Sequence, residues 1–403
     1  MTVGLALLLV VLFSLALHLT FWHFPLVTLD ALTTPEQDER FSDQNFYLFS
    51  AAEICHQATW AVEDLMVTWS SFGVVGYLAG GCRVFGSEFF YIVLNPILAA
   101  GGLGLSLAVA RSCGIEPRIG PLSVFAVPYT LLTISMPGKE IISVFGSLMV
   151  ASGLLVISAK DLWLRGIVLA LPGLIIVATN RPHEGVAIAL FCALWLSSSR
   201  SAWTRLAIPV AILFTVSSLA PTLFTALQLS ATADTLTDES LWSNSSEGKS
   251  YDASGLSDAL RSDNLLIHAM LGVPRVVLVL AAPLSSFLTP WSDVEPAYFL
   301  FRDLSQRLRL VDFAFVFFAF ISALRTPPLA LAPAAEKTRW LLPAFFLYMV
   351  YTIAFFGVVQ KSRYVFQYVP LILVWYWCWQ PISAYRFRPD GRGRVGPCKS
   401  NPC

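Results

Sequence analysis

The charges of this chain come in clumps, and between the clumps run long stretches with almost none. About ten such stretches, each of about 18–24 residues, recur along the sequence, close to the ~20 apolar residues an α-helix needs to cross a hydrocarbon core about 30 Å thick. A helix on the surface of a soluble domain is apolar along one stripe; these stretches are apolar all round. Of the 403 residues, 56% are hydrophobic and 13% charged. A charge at the centre of a membrane helix costs about 2.5–3.5 kcal/mol on insertion scales, so the ionisable groups are expected at the ends of the spans. The pattern predicts an all-α fold, a polytopic transmembrane helical bundle of about 10 spans.

The expected crossings are 3–24, 88–110, 119–136, 141–158, 162–179, 185–198, 206–228, 310–326, 340–359 and 365–382. With the N-terminus inside, the inner loops collect Arg111, Arg118, Lys160, Arg165, Arg200, Arg205, Arg325, Lys337 and Arg339. A tail over 383–403 adds Arg386, Arg388, Arg392, Arg394 and Lys399, against the few inner acids Glu116, Asp161, Glu336 and Asp390. Basic residues in short loops stay cytoplasmic, which predicts N-in, C-in and an even number of crossings. The first span lacks a charged n-region and a small-x-small cleavage pattern, and is expected to remain uncleaved.

Residues 1–382 form the expected membrane domain, with two long outer segments. The first, 25–87, is acidic from Pro35 to Asp43 and then amphipathic through Phe46, Tyr47, Phe49, Ile54, Trp60, Leu65 and Trp69. These features predict helices lying in the interface. The second, 229–309, opens with a Ser-, Asp- and Thr-rich stretch. An apolar piece, Leu265 to Leu288, follows, interrupted by His268, Pro274, Arg275 and Pro283, and then an amphipathic helix around Ala297 to Arg309. Counting 265–288 as a crossing would put the basic tail outside, so an interfacial or re-entrant path is expected within 265–309. Cys55 and Cys82 fall together in the first outer segment. A disulfide in an oxidising compartment and two unpaired buried thiols are both open readings.

Four outer clusters carry chemistry close to membrane level: Asp43, Lys139-Glu140, Asn180-Arg181-Pro182-His183-Glu184, and Lys361-Ser362-Arg363-Tyr364. The bland reading of each is a charged stop that snorkels to water. Together they put two separated acids and several cations on one side of the membrane. A carboxylate suits deprotonation of an attacking hydroxyl. Arginine offers a planar donor fork to phosphate oxygens, and lysine a point charge. Enzymes acting on lipid-linked phosphosugars need both.

Several short motifs resemble the GT-C class of integral-membrane glycosyltransferases. Asp43 leads through Tyr47 into Ser50-Ala51-Ala52, similar to the Asp-x-x-x-Tyr opening of that class. Gly76-Tyr77, Phe85-Gly86 and Asn95-Pro96-Ile97-Leu98 resemble its passage from loop to second span. Lys139-Glu140 falls where class members place a second acid, and Arg363-Tyr364 before Pro370-Leu371 resembles the opening of a late span. The chain departs from many relatives in having no large soluble C-terminal domain. The resemblance implies a donor lipid of the polyprenyl-phosphate-sugar type, a glycan, lipid or protein acceptor, surrounding membrane lipids, and no nucleic acid.

The expected mechanism is inverting. Asp43 orients or deprotonates the acceptor hydroxyl, while Arg363, with Lys361 or Arg181, holds the carrier phosphate; Tyr364 belongs to the same binding group. Glu140 pairs with Lys139, or joins Asp43 in binding a divalent ion; two acids are too few to require a metal. His183 is a proton shuttle or an idle helix-end histidine. Two other functions fit the layout: a polymerase or ligase of lipid-linked oligosaccharides, and a transporter of such lipids. A transporter calls for ionisable groups near mid-span and for internal repeats, and the sequence has neither. The expected location is a bacterial inner membrane, with the site facing the periplasm or exterior.

Overall fold

A computed structural model describes residues 10–12, 16, 43–61, 65, 72–86, 90–115, 117, 126–134, 136, 138–198, 265–281, 283–284, 297–324, 338–356 and 365–379. Every element among them is helical: α1 (Asp43–Cys55), α2 (Phe72–Phe85), α3 (Tyr91–Ser112), α4 (Pro128–Ile134), α5 (Lys139–Lys160), α6 (Trp163–Asn180), α7 (Pro182–Ser198), α8 (Leu265–Ala281), α9 (Ala297–Leu324), α10 (Leu341–Phe356) and α11 (Val369–Trp379). Three of these, α3, α5 and α6, are long and apolar enough to cross a membrane. The expected span 206–228 lies outside the described residues, as do the tail and most of 3–24.

Helix α5 is the hub, and what it packs against explains its sequence. Its α6 side carries Gly146 and Gly153, which face Gly173 and Gly166 in antiparallel register. A Cβ on Gly146 would sit 2.7 Å from the Gly173 oxygen, and one on Gly153 2.4 Å from the Gly166 oxygen. The backbones therefore meet directly, the small-residue contact by which membrane helices associate where no hydrophobic effect drives them together. The opposite face of α6 is bare: Leu164, Val168 and Ile175 are more than half exposed, as expected of a surface turned to lipid.

On its second side α5 packs parallel to α3. Asn95 donates to the Met136 oxygen at 2.7 Å just before α5 begins, and Ser106 lies 3.0 Å from Ser152 lower down. Tyr77 of α2 donates to Asn95 at 2.6 Å, a phenol that burial keeps protonated by raising its pKa. Helix α7 returns along α6, bringing Trp195 within 3.0 Å of Ser158 near the far end of α5.

In the first outer segment, α1 packs against the bundle. Tyr47, Ala51, Ile54 and Cys55 fall on one side of α1 and are buried, whereas Glu53 faces outward. That side packs with Val74, Val75 and Leu78 of α2 and Ile141 and Ile142 of α5, so Tyr47, Ala51 and Ile54 belong to a core. Cys55 and Cys82 are joined as a disulfide with Cα atoms 5.8 Å apart, tying α1 to α2.

Three boundaries move. Pro274 and Arg275 do not interrupt their segment, since α8 runs through both and Arg275 is buried. The amphipathic stretch from Ala297 and the span from 310 are one continuous helix, α9. Helix α7 starts at Pro182, three residues before its expected span, because Pro at the first position and Glu184 in the first turn are helix-starting residues.

One buried acid has a structural task. Asp312 of α9 is 0% exposed and accepts from the Tyr129 and Thr130 amides, both at 3.0 Å, and from the Thr130 hydroxyl at 2.8 Å. Pro128 opens α4, so these amides are orphan donors of a first turn, and a side chain 182 residues distant caps them.

Candidate functional site

Several helix starts meet at one end of this bundle. Lys139 and Glu140 open α5, Pro182 opens α7, and Gln367-Tyr368 immediately precede α11. Helix α1 brings Tyr47, one turn from its own start at Asp43, to 4.8 Å from the Lys139 ammonium. A helix N-terminus carries about half a positive charge, so this end gathers several of like sign.

Arg181 alone separates α6 from α7, and its fork joins two acids. Nη1 donates to Glu184 at 2.9 Å and Nη2 to Glu140 at 3.1 Å. The Arg181 and Glu184 side chains are 6% and 1% exposed, and Glu140 is 15% exposed. Glu184 is saturated: Gln367 reaches its two oxygens at 3.0 and 3.1 Å, and the Tyr368 hydroxyl donates to the second. A buried ion pair holds only when its remaining lone pairs are satisfied, and here they are. Glu140 is different. Its first oxygen takes Arg181, and its second accepts from none of the described residues, on the more exposed side chain of the two acids.

Sequence reasoning left Lys139 as one partner for Glu140; the structure gives it Arg181. Adjacent helical residues diverge by about 100° and do not face each other. The Arg181 fork is occupied by carboxylates and holds Glu140 and Glu184 together. Asp43 is the first residue of α1 and His183 the second of α7. Lys361, Arg363 and Tyr364 lie outside the described residues, all three within four positions of Val365. Among the expected site residues the structure brings Lys139, Glu140 and Arg181 to one end of the bundle.

The expectations missed Glu184 as a centre of contacts, and Gln367 and Tyr368 altogether. Arg181 and Glu184 stand three apart across a helix-starting proline, a spacing that signals a pair. Nothing local marks Gln367 and Tyr368, whose partner is more than 180 residues away. Neighbouring Asn180 is fully buried against Gly73, where a Cβ would sit 2.5 Å from its side-chain oxygen. That contact fits α2 onto the same end.

No protein-family model matches the chain, and neither does any curated protein or solved structure.

Proposed function

We propose that this chain is a membrane-embedded glycosyltransferase of GT-C type, moving a sugar from a polyprenyl-phosphate carrier to a glycan, lipid or protein acceptor on the non-cytoplasmic face. The observation that carries the reading is the meeting of helix starts around Arg181, with one carboxylate oxygen of Glu140 uncommitted beside them. Positive helix ends suit a carrier phosphate, and an uncommitted carboxylate suits a hydroxyl that must lose a proton. The Cys55–Cys82 bridge joins α1 and α2, the helices that bring Tyr47 and Gly73 to this end, and supports an oxidising compartment on that side. In this reading the basic residues of the tail stay cytoplasmic, in an N-in, C-in arrangement of about ten spans.

In this reading Asp43, on the helix that brings Tyr47 to Lys139, acts as base on the acceptor, with Glu140 orienting the same hydroxyl. Lys139, Lys361 and Arg363 neutralise the departing phosphate, which is the charge that develops in the transition state. Tyr364 lines the donor, and His183 passes the proton to bulk water. Arg181 acts through Glu140.

The test is transfer by the purified protein in lipid nanodiscs supplied with polyprenyl-phosphate sugars, read by mass spectrometry. Asp43→Asn is expected to insert normally and lose about 100-fold or more of the rate. Arg363→Ala is expected to raise KM for the donor. A chelator separates a metal-free base from a carboxylate-bound divalent ion. Full activity in Asp43→Asn would reject the base, and no transfer from any lipid-linked sugar would reject the enzyme.

A further inference from the structure

One group of metal-binding side chains lies apart from the ion network. Cys55 ends α1, His56 follows it, and Cys82 stands in the last turn of α2. One donor atom from each, the two sulfurs and an imidazole nitrogen, lies within 4.8 Å of the others. The cysteines are 1% and 3% exposed, whereas His56 and Arg83, each the next residue along the chain, are exposed. The sulfurs therefore lie just beneath the surface, and His56 gives them an open edge.

The bridge is not the sole contact that keeps these donors together. Trp60 Nε1 donates to the Ile54 oxygen at 2.8 Å, and Arg83 Nη2 to the Ala58 oxygen at 3.4 Å. The Arg83 guanidinium also lies 5.6 Å from the Trp60 ring centre, and Ile54 packs with Val74 and Leu78. Opening the bridge leaves all of these in place, so two thiols and an imidazole stay gathered. That donor set suits zinc and similar borderline cations, whereas magnesium and calcium ask for oxygen. With Zn–S about 2.3 Å and Zn–N about 2.0–2.1 Å, tetrahedral donors stand about 3.5–3.8 Å apart. The ion needs no cavity beyond the space between the parted sulfurs and the imidazole.

We infer that Cys55, His56 and Cys82 form a zinc site that alternates with the disulfide. A dithiol reductant opens the bridge by thiol–disulfide exchange. The Cys55–Cys82 S–S bond breaks, an S–S bond forms in the reductant, and two electrons and two protons pass to the cysteines. Zinc then releases both protons to solvent and binds the two thiolates and a neutral His56 nitrogen, with water in its fourth position. In either state α1 is tied to α2, which keeps Tyr47 beside Lys139. Nothing in this chemistry depends on glycosyl transfer.

The test uses the full chain in nanodiscs, reduced with a water-soluble phosphine and titrated with Co2+ as a coloured stand-in, then with Zn2+. Wild type is expected to take up one Co2+ more than Cys55→Ser/Cys82→Ser, with thiolate-to-metal absorption, and to give it up to Zn2+. The serine variant subtracts any ion held by the other cysteines. His56→Ala keeps both sulfurs and changes an exposed side chain. It is expected to weaken Zn2+ binding by about tenfold or more, at least the loss that removing an outer-shell partner causes. Zn2+ is also expected to raise the unfolding midpoint of the reduced wild type more than that of reduced His56→Ala. If the serine variant does not fold, His56→Ala against wild type carries the comparison. Three results each overturn the site: a bridge that the phosphine does not open in the folded protein, equal metal uptake with and without the two cysteines, or unchanged Zn2+ affinity in His56→Ala. Sugar transfer by the unreduced protein is independent of all three, so the glycosyltransferase reading stands or falls separately.

Discussion

Helix α5 meets α6 through glycine, whereas the side that carries Glu140 and Ser158 is polar, and the two sides tolerate different things. On the α6 side, main chains touch at Gly146, Gly153, Gly166 and Gly173, leaving no room for one added carbon. On the polar side Glu140 meets the linker residue Arg181, and Ser158 meets Trp195 of α7. Between them in sequence, the buried Ser143 and Ser147 hydroxyls bond to none of the described residues. The first side is built for close approach and the second is more polar than packing requires. Structure alone explains the glycines; it does not explain the serines.

Four substitutions press on that contrast. The largest effect belongs to Arg181→Ala, which strands Glu140 and the buried Glu184 together. Removing one partner of a buried pair costs about 3–5 kcal/mol, read as a large drop in unfolding midpoint in detergent. Glu184→Gln is expected to cost less, because Gln367 and Tyr368 still have an oxygen to bond. A smaller loss, about 1–3 kcal/mol, is expected of Gly153→Ala, since the new Cβ must push the α6 backbone away. A variant as stable as wild type would mean that α5 and α6 are not in register. The smallest effect is that of Ser147→Ala, expected to leave stability within about 0.5 kcal/mol of wild type. A large destabilisation there would show the hydroxyl to be bonded within the protein and would remove the asymmetry between the two sides.

Asp312 shows why burial of an acid is a weak sign of function. It is as buried as Glu184, yet both its oxygens are spent on the first turn of α4. Glu140, less buried, keeps one oxygen uncommitted. The difference is legible only in the partners.

The long helices were readable because hydrocarbon imposes both length and lack of charge. The expected span 141–158 became Lys139–Lys160, and 162–179 became Trp163–Asn180. The errors fall where a local rule met a tertiary one. A proline in an apolar run was read as a break, but α8 runs through Pro274. Tyr47 and Ile54 were read as part of helices lying in the interface; both pack with α2, a contact no local pattern marks. The Arg181–Glu184 pair could be seen from its spacing, whereas the Gln367 and Tyr368 contacts depend on how α7 and α11 come together.

The single-residue join at Arg181 has a mechanical consequence. One residue spans about 3.8 Å, less than the 5.4 Å pitch of a helix. Helix α7 therefore cannot slip one turn along α6; whatever displaces it, a thinner bilayer or a bulky lipid, must drag or tilt both. Arg181 is itself the linker, so such a displacement pulls directly on the guanidinium. Strain arriving from the lipid face of α6 would pass through that guanidinium to the two carboxylates.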